Sequence, residues 1–213
     1  MNRLLSEAID TASFEDFGGD DFRPGLEKLL ETYDRNCFTE SARKSLRRRM
    51  LDLLVSRLCV EAAWKRHPEV LELPINQPMF LTGLPRTGTS ALLNVLANDP
   101  ATRTLKLWEA HNPAPLESLA PGEEDPRYVR IKQYYDHMNA TSDFKKIHYM
   151  TADSADECIF LTNHTFQDAA YGFEVFFEPY ATFYKTVERH SQYRYHADLL
   201  RLLHWQRPAD RWL

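Results

Sequence analysis

Residues 79–90 of this 213-residue chain read MFLTGLPRTGTS, and this stretch decides the fold. The apolar run Met79–Thr82 predicts a short buried strand, and residues 91–98 predict a helix. Gly83 and Gly88 lie in the turn between them. A strand, a glycine-bearing turn and a helix in this order form a phosphate site. The first N–H groups of a helix lack partners, and the helix dipole adds positive charge at the same place.

The side chains of this loop add further donors for an anion. Arg86 brings a positive charge and bidentate N–H groups, while Thr87, Thr89 and Ser90 bring hydroxyls. Both glycines and Ser90 match the P-loop pattern Gly-x-x-x-x-Gly-Lys-Ser/Thr, but Thr89 stands at the lysine position. A kinase or NTPase needs that lysine and a magnesium ion between the phosphates. The loop therefore favours an anionic group that is transferred without a metal, with a P-loop nucleotide kinase or NTPase as the alternative.

The flanking sequence supplies the other elements of the fold. Leucines at helical spacing predict a long helix over residues 41–65, capped by Thr39 or Ser41. Further elements are predicted downstream: a strand over 104–107, a helix starting at Pro126, a helix capped by Asp153 or Ser154 and running through Leu161, a helix over 195–205, and the start of a third strand over 208–213.

These elements predict an α/β fold with a P-loop-like parallel sheet core and helices on both faces. The predicted domains are a helical N-terminal extension, 1–73, and an α/β domain, 74–213. Two strands and the start of a third are few for a parallel sheet, which usually holds about five or six strands. We therefore expect the α/β domain to be incomplete at its C-terminus.

Charge and cysteine usage exclude several classes of protein. The net charge of −5 shows no basic excess of the kind that nucleic-acid binding requires. No apolar run reaches the roughly 18 residues of a membrane span, and the N-terminus lacks the core of a secretory signal, so a cytoplasmic location is expected. Cys37, Cys59 and Cys158 are far apart, and the histidines show no His-Glu-x-x-His spacing. We expect neither disulfides nor a metal site.

An ordered set of motifs resembles the sulfotransferase family, in its bacterial-type branch with a Pro-Arg-Ser/Thr-Gly-Thr-Ser/Thr loop. The set comprises the loop and its helix, then Asp99-Pro100, then Trp108-Glu109, and the resemblance continues through Asp156-Glu157-Cys158 and Tyr193-Arg194-Tyr195-His196 to Trp212-Leu213. It implies the donor 3′-phosphoadenosine-5′-phosphosulfate. The ligands of the 5′-phosphosulfate would be Arg86, Thr87, Gly88, Thr89 and Ser90.

The resemblance also implies a reaction and its residues. A sulfuryl group would move to a hydroxyl or amine of a small-molecule, lipid or saccharide acceptor. Glu109 matches the position of the general base and Arg86 would stabilise the leaving phosphate, while His111 is a weaker candidate for the base. Ligands for the 3′-phosphate of the donor are expected beyond Leu213, so an inactive sulfotransferase fragment is a second alternative.

Two other groups are interpreted as structural. The acidic residues Asp153, Asp156 and Glu157 lie near a predicted helix start, where negative charge favours the helix dipole. The aromatic residues Tyr193, Tyr195 and Trp205 are interpreted as core side chains.

Overall fold

A computed structural model of the chain describes residues 1–84, 87–120, 122–146, 148–168, 171 and 177–213. The architecture of this part is mostly helical α/β with a small parallel sheet, as the sequence predicts. In chain order its elements are α1 (Asn2–Ala12), α2 (Arg23–Arg35), α3 (Glu40–Arg66), α4 (Thr89–Leu96), β1 (Thr102–Arg103), α5 (Leu107–His111), α6 (Pro126–Thr141), α7 (Ile159–Thr162), α8 (Tyr180–Thr186), α9 (His190–Gln206) and β2 (Arg211–Trp212). No helix in this part has the length and apolar character needed to cross a membrane.

The long helix α3 organises the N-terminal part and confirms the prediction of a helix over 41–65. The hydroxyl of Thr39 caps it by accepting the Ala42 N–H at 3.2 Å. The first half of α3 packs against α1, α2 and the aromatic residues that follow α7, and its second half packs against α9 and Trp212. Since α3 contributes to two of the three hydrophobic clusters of the described residues, it joins the N-terminal helices to the core around α9 and Trp212. The predicted domain division at residue 73 stays a prediction.

Helix α2 approaches the chain after α7 very closely. A Cβ placed on Gly25 would lie 2.1 Å from the carbonyl oxygen of Phe166. Phe166 itself is fully buried. Glycine at this position therefore lets the helix backbone touch the neighbouring backbone directly.

Two charged side chains of α3 lie next to each other in the interior. The Nε of Arg57, a residue 3% exposed, donates to the carbonyl oxygen of Phe17 at 2.7 Å. The carboxylate of Glu61 lies 3.7 Å from the guanidinium of Arg57. Burial raises the pKa of Glu61 from its usual 4.5 to about 7, and the positive charge of Arg57 only partly opposes this. The interior thus holds a carboxyl group that titrates near neutral pH.

The sheet joins two segments that are distant in sequence. Thr102 and Arg103 of β1 pair in parallel with Arg211 and Trp212 of β2. Asp99, just before β1, accepts a hydrogen bond from the Arg211 guanidinium at 2.6 Å. The expected start of a strand over 208–213 is confirmed at β2.

The strand predicted over 104–107 is displaced towards the N-terminus. The paired residues of β1 are 102 and 103, and residue 106 makes only an isolated antiparallel bridge with Ala155. Helix α5 begins at Leu107, because the Glu109 carboxylate accepts the Lys106 N–H at 3.2 Å and so favours a helical turn. That part of the prediction is wrong.

The strand predicted over 79–82 does not form in the described residues. The Met79 N–H donates to the Trp212 carbonyl at 2.8 Å, but Phe80 is 82% exposed. A strand is stabilised by a ladder of backbone bonds and by burial of its side chains, and this segment has little of either. The apolar run therefore lies beside β2 as extended chain without becoming part of the sheet.

The later helices agree with the sequence in two cases and disagree in one. Helix α6 starts at Pro126 after its cap Asp125, and α9 includes the whole predicted range 195–205. The helix expected from Asp153 or Ser154 is wrong, because the Ser154 hydroxyl accepts the Thr151 N–H at 2.9 Å and closes a turn instead. The helix in this region, α7, has only four residues.

Candidate functional site

A cavity of about 690 Å³ lies at the start of α4. Three parts of the described chain form its walls. The first is the loop and α4, the second is the segment from 148 to 158, and the third combines residues of α9 with β2 and Leu105. The loop that the sequence singles out therefore opens into the cavity.

The turn into α4 presents backbone N–H groups to this cavity. Gly88 has φ +92° and ψ 13°, a conformation that side-chain-bearing residues rarely adopt. The first backbone bond of the helix runs from the Leu92 N–H to the Gly88 carbonyl at 3.0 Å. The N–H groups of Thr89, Ser90 and Ala91 precede that bond, and all three residues line the cavity. This arrangement suits an anion, since the helix dipole is positive at the same end.

The predicted donor ligands differ in how the structure places them. Gly88, Thr89 and Ser90 line the cavity. Thr87 is exposed and does not line the cavity. Its hydroxyl donates to the Leu84 carbonyl at 2.7 Å. Arg86 lies outside the described residues.

Glu109, the predicted base, lies in a buried ion-pair cluster behind the cavity wall. Its carboxylate accepts from the Arg103 guanidinium at 3.0 Å and from the Arg207 guanidinium at 3.3 Å, in addition to the Lys106 N–H. Arg103 is 3% exposed, and burial lowers its pKa to about 10, although Glu109 opposes the shift. The Arg103 guanidinium also lies over the Trp212 ring, 4.4 Å from its centroid. Trp212 lines the cavity and Glu109 does not, so the cluster supports the wall from behind.

His111, the weaker candidate for the base, faces another part of the protein. Its Nε2 lies 3.0 Å from the Tyr135 hydroxyl, and the residue does not line the cavity. Burial lowers the pKa of His111 to about 4, and positive charge on His164, Arg49 and Arg130 acts in the same direction. The imidazole is therefore neutral at pH 7.

Sequence reasoning did not place two acidic residues at this cavity. Asp156 and Glu157, interpreted as structural, line the cavity beside Cys158. The Asp156 N–H donates to the Leu105 carbonyl at 3.0 Å, which fixes this segment against the chain leading into α5. Burial raises the pKa of Asp156 to about 6, although a hydrogen bond from the Glu157 N–H and the charge of His148 oppose the shift. The signal in the sequence was three consecutive titratable residues.

The remaining residues of those groups lie outside the cavity. Asp153 is exposed and accepts a hydrogen bond from the Tyr128 hydroxyl at 2.7 Å. Tyr195 is 9% exposed and belongs to the core, and Trp205 packs against the same cluster. Tyr193 is 62% exposed, so its interpretation as a core residue is wrong. It occupies the opposite face of α9 from the buried side chains.

The family model and the solved structures that match this chain are all of sulfotransferases. The model of the sulfotransferase family matches residues 78–206, more than half of the chain. The crystal structure of sulfotransferase STF1 from Mycobacterium tuberculosis is 30% identical with a TM-score of 0.86, and the match covers 100% of this chain and 59% of that one. Sulfotransferase STF9 from Mycobacterium avium is 25% identical with a TM-score of 0.87, covering 100% of this chain and 55% of that one. No curated protein matches. The chain thus spans less than two thirds of the length of either solved relative.

Proposed function

Since this chain belongs to the sulfotransferase family, we propose that it binds 3′-phosphoadenosine-5′-phosphosulfate at α4 and transfers the sulfuryl group to a hydroxyl or amine. The observation that carries the proposal is the start of α4, where Gly88 takes a positive φ and three leading N–H groups belong to residues lining a cavity of about 690 Å³. This loop lies within the residues that the family model matches.

In this proposal the 5′-phosphosulfate lies against the loop. The leading N–H groups of α4 and the hydroxyls of Thr89 and Ser90 donate to its oxygens, and Arg86 adds a full positive charge. Thr87 and Gly88 contribute through their backbone N–H groups, since the Thr87 hydroxyl already donates to Leu84. Charged hydrogen bonds of this kind contribute about 1.5–3 kcal/mol each.

The chemical step replaces the sulfur–oxygen bond to the donor phosphate by a sulfur–oxygen or sulfur–nitrogen bond to the acceptor. The acceptor oxygen or nitrogen attacks sulfur in line with the leaving phosphate oxygen, so the new bond forms as the old sulfur–oxygen bond breaks. The phosphate oxygen keeps the electron pair, and Arg86 with the loop N–H groups stabilises its charge. Positioned donors of this kind contribute about 10²–10³ in rate. The proton of the acceptor passes to a carboxylate.

We keep Glu109 as the proposed recipient of this proton. The carboxylate lies behind the cavity wall and both of its oxygens accept hydrogen bonds, so the role requires one of its partners and the wall at Trp212 to move aside. Arg207 is the weakest of these partners, because it is 52% exposed and its contact is the longest at 3.3 Å. General base catalysis contributes about 10²–10⁴ in rate, so Glu109→Gln should slow turnover by about that factor while donor affinity stays near normal.

A calorimetric titration with 3′-phosphoadenosine-5′-phosphate, in the absence of magnesium, tests the donor site. The informative pair of variants is Gly88→Ala and Gly122→Ala. Both glycines have positive φ, +92° and +86°, and neither has a heavy atom within 4 Å of the position that a Cβ would occupy. The two substitutions should therefore strain the backbone similarly, but only the first changes the loop.

We expect saturable binding by the wild type and by Gly122→Ala, and binding weakened about tenfold or more in Gly88→Ala. Arg86→Ala should weaken binding about 10- to 100-fold, in line with the loss of a charged hydrogen bond. Equal binding by all variants would place the nucleotide elsewhere. Tighter binding of ATP with magnesium than of the bisphosphate would favour the P-loop kinase or NTPase alternative instead.

A further inference from the structure

Two parts of the cavity wall, which we call the loop end and the acidic end, differ in electrostatic character. The loop end carries the positive N-terminus of α4. At the other end, Asp156 and Glu157 supply two carboxylates, and no lysine or arginine occurs among the described residues that line the cavity. The nearby Lys106 ammonium donates to the Asp153 carbonyl at 2.9 Å, outside the lining. The other titratable side chains of the described lining are those of His148, Tyr149, Cys158 and His196.

Much of the remaining wall is apolar. Leu105, Met150, Leu200 and Trp212 contribute to it, and three of them are less than 9% exposed. Trp212 is 3% exposed, and its Nε1 has no hydrogen-bond partner among the described residues. The cavity therefore combines apolar surface with one positively and one negatively charged part of its wall.

We propose that the end formed by Asp156 and Glu157 receives the acceptor, and that it selects acceptors with an apolar body and a neutral or positively charged hydrogen-bond donor. Acceptors that carry their own carboxylate, sulfate or phosphate are excluded. The proposal rests on the proposed function, because it assigns the loop end of the same cavity to the donor. It names the class of acceptor, which the family alone leaves open.

The physical argument concerns charge beside a partly apolar cavity wall. At pH 7 the Asp156 carboxylate is mostly ionised, since its pKa of about 6 lies below that pH. It can accept a hydrogen bond from a hydroxyl or an ammonium group of the acceptor. An acceptor with its own anionic group would instead be repelled by the two carboxylates. Below about pH 6 the Asp156 carboxylate becomes protonated, which would weaken the selection.

Cys158 provides a direct probe of this potential, because it is an exposed free cysteine in the cavity wall. We would measure its rates of reaction with trimethylammonium-ethyl and sulfonato-ethyl methanethiosulfonate, which carry opposite charges. The ratio of the two rates reports the local potential and cancels changes in the reactivity of the thiol itself. Cys37, exposed in the loop between α2 and α3, serves as the reference, with each site resolved by peptide mass spectrometry.

We expect the cation-to-anion ratio to be about tenfold or more higher at Cys158 than at Cys37. Asp156→Asn and Glu157→Gln should each lower the ratio at Cys158 by about threefold to tenfold and leave Cys37 unchanged. Asp153→Asn is the matched control, since this acidic residue lies outside the lining and should have little effect. Equal ratios at the two cysteines, or a ratio insensitive to Asp156→Asn, would overturn the proposal.

A second measurement links the potential to turnover and separates the two proposals. Tyramine, tyrosol and 4-hydroxyphenylacetate offer the same phenol with a positive, a neutral and a negative tail. Tyramine and tyrosol should be sulfated at least about tenfold faster than 4-hydroxyphenylacetate, and the spread should shrink in Asp156→Asn. Sulfation without such a preference would refute the acceptor class alone. Failure to bind 3′-phosphoadenosine-5′-phosphate would refute the proposed function, while the rate ratio at Cys158 would still be measured.

Discussion

Replacement of Glu109 by glutamine should lower the free energy of unfolding by about 2–4 kcal/mol, apart from any effect on turnover. The carboxylate is 6% exposed and neutralises Arg103, whose side chain is 2% exposed. Removing one partner of a buried ion pair costs about 3–5 kcal/mol, because the other charge stays buried without compensation. Glutamine retains one oxygen that can accept from Arg103, and the carbonyls of Leu203 and Arg207 still accept from that guanidinium. These remaining acceptors reduce the expected cost.

Urea unfolding followed by tryptophan fluorescence measures this cost at pH 7. Glu117→Gln is the matched control, because Glu117 also pairs with an arginine but is 69% exposed, and an exposed pair contributes only about 0–1 kcal/mol. A double-mutant cycle with Arg103→Met isolates the interaction, and we expect a coupling of about 2 kcal/mol. Turnover of Glu109→Gln would be compared under conditions where it remains folded.

A cost below about 0.5 kcal/mol for Glu109→Gln would refute this reasoning, because a buried guanidinium would then have lost its counter-charge without consequence. A large stability cost together with normal turnover would keep the structural role and remove Glu109 from the role of base. Both effects together would mean that the same carboxylate serves the fold and the reaction.

Two further predictions concern stability. Burial raises the pKa of Glu61 in the folded state to about 7 from its usual 4.5, so the folded protein binds a proton at this carboxylate more tightly than the unfolded chain does. Glu61 should therefore add about 2 kcal/mol to the free energy of unfolding as the pH falls from 7 to 5. Urea unfolding at both pH values should show this gain in the wild type relative to Glu61→Gln, and parallel pH dependence would contradict it. Gly25→Ala should lower the free energy of unfolding by about 2–4 kcal/mol, because its Cβ would lie 2.1 Å from the Phe166 carbonyl oxygen. The control Gly19→Ala, whose Cβ would have its nearest atom at 3.8 Å, should change that free energy by less than about 0.5 kcal/mol. A shift of the melting temperature of equal size for both variants would contradict the close contact.

The sequence predicted the elements whose signals are local. The helical spacing of apolar residues located α3, and the Asp125-Pro126 pair located the start of α6 to the residue. These signals act within one or two turns of chain, so no tertiary contact was needed to interpret them.

Predictions that depended on distant partners were less successful. The apolar run 79–82 has the composition of a strand, but a strand also needs neighbours, and only the Met79 N–H bonds to β2. The residues that pair in β1 precede the range predicted for this strand. The hydrogen bond from the Lys106 N–H to the Glu109 carboxylate instead favours a helix, α5, that starts at Leu107. Tertiary contacts decide such cases, and a single sequence does not contain them.

Predictions for the candidate site show the same difference between local signals and distant partners. Gly88, Thr89 and Ser90 were found from their spacing in one loop, and the structure places all three at the cavity. Asp156 and Glu157 come from a segment more than 60 residues away, held there by the bond between the Asp156 N–H and the Leu105 carbonyl. Their charge was visible in the sequence, but their position in the same cavity as the loop was not.

The pairing of β1 with β2 has a consequence for the order of events during synthesis. Thr102 and its partner Arg211 are 109 residues apart, so at about 5–20 residues per second the ribosome needs roughly 5–20 seconds to deliver the second strand after the first. Contacts between α1 and α3 are far more local and can form early. During that interval the Met79 N–H lacks its partner, the Trp212 carbonyl. We therefore expect the chain leading into the loop to take its final position only after β2 has been synthesised.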